Sequence, residues 1–158
     1  MANTKSDNNV HHTRSQPMGI SGRQIRLAAL PTAPGMARVF VKNVAAAWSI
    51  QGEAVEQAEL VISELVTNAV KQTGRVVGAP TPRPTEPVAV VSVRVELHAA
   101  ILRMAVWDSD TSAPVLQEPT DELEGGRGLF LVAAMTERWG HYFPATGGKV
   151  VWAEVVVA

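Results

Sequence analysis

The sequence has 158 residues, 46% hydrophobic and 18% charged, a composition that fits one globular domain with its own core and excludes a disordered chain. Lys and Arg total 14 against 15 Asp and Glu, a net charge of -1. That balance argues against a surface built to coat nucleic acid, which needs a surplus of cations. Cysteine is absent, which removes disulfides, thiolate metal sites and cysteine nucleophiles together and is compatible with a reducing cytosol.

Residues 1–22 are polar and lack an apolar segment of the kind a secretory signal carries, so they read as a flexible tail. His11 and His12 within it are adjacent; they read as a solvated pair in preference to metal ligands. Residues 23–30 alternate, with Ile25, Leu27 and Leu30 set among Arg23, Gln24 and Arg26, and predict a first strand ended by Pro31. Pro34 suits a helix's first turn, and Met36, Val39, Phe40, Val44, Ala47 and Trp48 recur at helical spacing, so a helix is expected over 34–49. After Gly52 a longer helix is expected over 53–73, with Ala58, Val61, Ile62, Leu65 and Ala69 in one apolar stripe and Gly74 beyond its end.

Residues 75–87 hold prolines at 80, 82, 84 and 87, an extended loop that serves either as a connector or as a ligand for a polyproline-reading domain. Residues 88–97 and 100–107 are β-rich and predict a hairpin turning near His98 and Ala99. Residues 108–126 show no period; loops of this length are often lids or binding loops. A third helix is expected over 129–139. Two further strands are expected over 142–145 and 150–157, around the turn Thr146-Gly147-Gly148. The order β-α-α-β-β-loop-α-β-β predicts an α+β fold, a two-layer sandwich with helices on one face of a mainly antiparallel, mixed sheet. No run approaches the roughly 18 apolar residues of a membrane span.

Three local features have chemical content. Glu64 and Asn68 lie one helical turn apart on the flank of the second helix's apolar stripe, where a carboxylate and an amide can aim at a ligand from a rigid element, or can simply be solvated. Asp108 ends an apolar strand, as either a turn former or an acceptor for an amine. Gly125-Gly126-Arg127-Gly128-Leu129 enters the third helix, either as a flexible turn or as a cradle in which backbone N–H groups and the helix N-terminus meet a phosphate. The chain contains neither a G-x-x-x-x-G-K-[ST] loop nor a dinucleotide fingerprint.

In that order the three features resemble the GHKL ATPase superfamily, which includes gyrase-type topoisomerases, heat-shock chaperones, sensor histidine kinases and anti-sigma kinases. Glu64–Asn68 looks like its N box, Asp108 like its adenine-reading aspartate, and Gly126–Leu129 like its second glycine box. The segments Ser63-Glu64-Leu65-Val66-Thr67-Asn68-Ala69-Val70, Arg138-Trp139-Gly140 and Gly148-Lys149-Val150-Val151-Trp152-Ala153-Glu154 are most similar to the stand-alone branch of anti-sigma-factor serine/threonine kinases of actinobacterial type. The likeness covers residues 23–157, an ATP-binding domain of histidine-kinase-like fold.

The resemblance implies ATP and Mg²⁺ as cofactors. Asn68 would be the Mg²⁺ ligand and Glu64 the general base. Asp108, with Gly126, Arg127, Gly128 and Leu129, would bind the nucleotide, and residues 109–125 would form the ATP lid. It further implies a cytoplasmic kinase that phosphorylates an anti-sigma-factor antagonist and sequesters a sigma factor, often as a homodimer, without contacting nucleic acid or membrane. The alternative is a regulatory binding module that holds ATP, or only the fold, and transfers no phosphate. Two departures favour the alternative. The family's first glycine box usually reads D-x-G-x-G, whereas Asp108-Ser109-Asp110-Thr111-Ser112 has no glycine. The threonine that many members carry after the last glycine turn is missing from Gly147-Gly148-Lys149-Val150-Val151. A detached sensor-kinase catalytic domain fits less well, since no histidine-bearing dimerisation helix precedes the domain.

Overall fold

The computed structural model describes residues 21–73, 88–116 and 127–157. The chain enters along β1 (Ser21–Ala28), so Ser21 and Gly22, expected in the tail, are already in the sheet, paired with Leu97 and Glu96. Helix α1 (Ala33–Ala47) follows, with Pro34 in its first turn, where the missing N–H costs nothing. It closes on a Schellman motif. Ser49 N–H donates to the Ala46 carbonyl and Ile50 N–H to the Ala45 carbonyl, with Ser49 at φ 60° in the place that glycine usually takes. This closure stops the helix two residues before the predicted end and folds Ile50 back into the core.

Helix α2 (Glu53–Gln72) agrees with the prediction to within a residue. Its stripe of Ala58, Val61, Ile62, Leu65 and Ala69 is buried, together with Val66. Strands β2 (Val90–His98) and β3 (Ile101–Asp108) form the expected hairpin, with Ala99 at φ 53° in its turn. Helix α3 (Gly128–Met135) is shorter than expected, and Arg138 and Trp139 start β4 (Arg138–Tyr142) instead of ending the helix. The expected strand over 142–145 is therefore displaced toward the N-terminus. Thr136 is already extended, and Glu137 N–H donates to the Glu154 carbonyl, so the chain joins the sheet at once. Strand β5 (Lys149–Val156) completes the fold.

The five strands lie in the order β1-β2-β3-β5-β4, and every pairing is antiparallel. The mixed sheet expected from the sequence is thus antiparallel throughout among the described residues. Antiparallel sheets can leave one face to solvent, and the alternation here follows that rule. Val91, Val93 and Val95 of β2, Leu102, Met104 and Val106 of β3, and Val151, Ala153 and Val155 of β5 point inward and are buried. The helices cover that face: α2 packs between α1 and α3 and touches β2, β3 and β5. The architecture is the α+β two-layer sandwich predicted. The Pro-rich segment 75–87 and most of the expected lid fall outside the described residues, as does Gly126. Among the described residues no helix is long and apolar enough to cross a membrane.

Candidate functional site

Between α2 and the C-terminal end of β3 lies a cavity of about 270 Å³. Helix α2 contributes Leu65 and Asn68, the sheet contributes Val106, Asp108, Lys149 and Val151, and α3 contributes Leu129. Pro114 and Val115, from the stretch after β3, also line it. Three residues singled out from the sequence, Asn68, Asp108 and Leu129, thus meet on one hollow although they are distant in the chain.

Glu64 and Gly128 lie at a second contact close by. A Cβ built on Gly128 would stand 2.6 Å from Glu64 Oε2 and 3.4 Å from Asn68 Oδ1. Only a residue without a side chain lets the start of α3 approach the carboxylate and the amide this closely. The first turn of α3, whose N–H groups have no partner within the helix, is therefore held against the Glu64–Asn68 flank of α2. Gln57 secures the other end of α3 by donating to the Met135 carbonyl. Glu64 itself is not among the residues lining the cavity, and Arg127 is exposed.

The sequence reading missed Lys149. Its side chain is 2% exposed, and its Nζ donates to Asp108 Oδ1 at 3.0 Å and to Asp110 Oδ2 at 2.7 Å. Strand register explains why it points inward. Asp108 pairs with Lys149 across β3 and β5, in step with the buried pairs Val106–Val151 and Met104–Ala153. The turn before it is tightly built. Gly148 has φ +73°, and a Cβ there would lie 2.2 Å from the Asp108 carbonyl oxygen, while Trp107 Nε1 donates to the Gly147 carbonyl.

The carboxylates of this cluster differ in their environments. Burial pushes the Asp108 carboxyl above its ordinary pKa, against the opposing pull of its hydrogen bonds from Lys149 and the Asp110 N–H. The Lys149 hydrogen bond holds Asp110, which is more exposed, below the ordinary value. Asp110 and Ser112 stand where a D-x-G-x-G box would carry its two glycines. Here the Ser112 N–H and Oγ–H both donate to the Asp110 carboxylate, and the Asp110 N–H donates to Asp108 Oδ1. Side-chain hydrogen bonds hold the turn that glycines would otherwise permit.

A family model described as "Histidine kinase-like ATPase domain" matches residues 27–155. The chain belongs to this family. The resemblance drawn from Glu64, Asn68, Asp108 and the glycine-rich entry to α3 is borne out at that level. Among solved structures it is similar to the RsbU and RsbW domains of Rv1364c from Mycobacterium tuberculosis, with 20% identity and a TM-score of 0.53. The match covers 85% of this chain and 32% of that one, so this chain spans about a third of the length of the protein it resembles. At that identity the similarity speaks for the fold. No curated protein matches the sequence.

Proposed function

We propose that the domain binds ATP with Mg²⁺ in the cavity between α2 and β3 and acts as a serine/threonine kinase and anti-sigma factor on partner proteins. The observation that carries this reading is the contact at Gly128, where the N-terminal turn of α3 meets both Glu64 and Asn68 beside a cavity that ends on Asp108. Helix N-termini favour anions, and a triphosphate running from the cavity toward this turn would meet the N–H groups of Gly128 and Leu129.

Each residue then has a defined task. Asp108 accepts a hydrogen bond from the base's exocyclic amine. The side-chain oxygen of Asn68 fits Mg²⁺, a hard cation that takes few protein ligands and keeps several waters; when bound it would neutralise phosphate charge. Glu64, beside the same helix turn, accepts the proton of the attacking serine or threonine hydroxyl. Positioning and charge neutralisation do most of the work in such a transfer. Arg127, exposed at the entry to α3, would offer its guanidinium to a phosphate oxygen. Phosphorylation of an antagonist would then weaken its complex by adding charge at the interface. The exposed apolar rim of α1 at Met36 and Val39, beside Arg38, is the surface offered to a partner. On this reading the domain is cytoplasmic, begins with β1 and has its lid at 109–125.

The alternative, a binding module without transferase activity, keeps the same cavity and dispenses with Glu64 as base. Calorimetry with ATP and Mg²⁺, followed by labelled-phosphate transfer to a cognate antagonist, separates the two. A kinase binds ATP and loses about 10²–10⁴-fold in transfer rate on Glu64→Gln with ATP binding retained. An unchanged transfer rate in that variant sinks the base assignment, and the absence of ATP binding sinks the whole reading.

A further inference from the structure

On the sheet side the cavity presents Val106, Asp108, Lys149 and Val151, and only the middle two carry polar side-chain atoms. Asp108 Oδ1 is already engaged by Lys149 and by the Asp110 N–H, so Oδ2 is the oxygen with no hydrogen bond among the described residues. An ammonium has three protons. Lys149 spends two, on Asp108 Oδ1 and Asp110 Oδ2, and one remains among the described residues. Both residues line the cavity, so the cluster offers a flat ring bound there one acceptor and one donor. Adenine has the complement on its Watson–Crick edge: an exocyclic amine that donates, next to ring N1 that accepts.

We propose that Lys149 is a second base-reading residue of this domain, its ammonium donating to adenine N1 while Asp108 accepts from the exocyclic amine. The proposal rests on the nucleotide reading above and adds to it a specific atom of the base. It also gives the buried lysine a task that a structural ion pair lacks. A carboxylate alone reads the amine and leaves N1 to water, whereas the cationic donor supplies a charge-assisted hydrogen bond inside a site shielded from solvent.

The test uses the full-length wild-type chain and titrates four triphosphates with Mg²⁺: ATP, its 1-deaza analogue, its 6-deamino analogue and its 7-deaza analogue. The 1-deaza compound lacks only the N1 acceptor and is expected to bind about 10- to 100-fold more weakly, the range for a lost hydrogen bond to a charged group. The 6-deamino compound, lacking the amine, should weaken comparably through Asp108, and the 7-deaza compound should bind like ATP. In Lys149→Met the penalty for 1-deaza-ATP relative to ATP should vanish, by the logic of a double-mutant cycle. If that variant does not fold, the analogue series on the wild-type chain decides alone. Equal binding of ATP and 1-deaza-ATP overturns the role given to Lys149 and leaves the nucleotide reading intact. Failure of ATP itself to bind removes that reading, and this proposal with it, so the two failures are distinguishable.

Discussion

Nζ of Lys149 lies 3.0 Å from Oδ1 of Asp108, and neither side chain is more than 2% exposed. Removing one partner of a buried pair leaves an uncompensated charge, which costs far more than the pair itself contributes. Lys149→Met is therefore expected to destabilise the fold by about 3 kcal/mol or more. The double variant Asp108→Leu, Lys149→Met should recover much of that loss, because neither charge remains. Urea denaturation of the wild type, both single variants and the double variant measures the coupling. Additive losses would show that the pair is not the unit that matters.

Asp110 provides a pH test. Its carboxyl is held below its ordinary value by the hydrogen bond from Lys149. A depressed folded-state pKa contributes stability at pH above the unfolded value, lost as pH falls through the folded one. Asp108 has the opposite sign: burial raises it, so the folded protein takes that proton before the unfolded chain does, and acidification toward the ordinary value costs nothing through this residue. Asp110→Asn is expected to lower Tm at pH 7, with the gap to wild type closing below about pH 4. A gap that stays constant down to pH 2 would contradict the assignment.

Gly128→Ala separates stability from activity. The new Cβ would meet the far end of the flexible Glu64 side chain at 2.6 Å, and that side chain can swing away. Alanine is a good helix residue, so the change in stability should stay within about 1 kcal/mol. The displaced carboxylate should nevertheless reduce phosphate transfer by tenfold or more, since small misplacements of catalytic groups are costly. Thermal melting and transfer assays on one preparation test both halves of the expectation.

Gly148→Ala has no such escape. Its Cβ would lie 2.2 Å from a backbone oxygen, at a φ of +73° that L side chains rarely adopt. Strain of this kind costs on the order of 1–3 kcal/mol, and the backbone clash adds to it. A Tm within a degree of wild type would show that the turn before β5 is looser than described.

The sequence made the periodic elements legible and the aperiodic ends obscure. Helix α2 and its buried stripe were readable because apolar residues recur at helical spacing beside polar ones. The end of helix α3 is not legible because Leu129-Phe130-Leu131-Val132 is apolar on every side, so no stripe marks it, and the pairing of Glu137 with Glu154 that starts β4 is a long-range contact. That Asn68, Asp108 and Leu129 share one site follows from the family likeness, because the local signal at each leaves a solvated or turn-forming role open. Lys149 carries no obvious local signal, because a lysine at a strand start ordinarily reads as solvated. Its parity with Val151, Ala153 and Val155 was the available hint that it points inward.

Strand β5 runs Lys-Val-Val-Trp-Ala-Glu-Val-Val, repetitive enough that valines could exchange places if it slid along β3. A slip of one residue would bury Glu154 and Trp152 and expose Ala153. A slip of two keeps the same faces but carries the ammonium roughly 7 Å from its carboxylates, stranding ions in the interior. The contact between residues 108 and 149 therefore works as a vernier mark, fixing where the last strand of the sheet comes to rest.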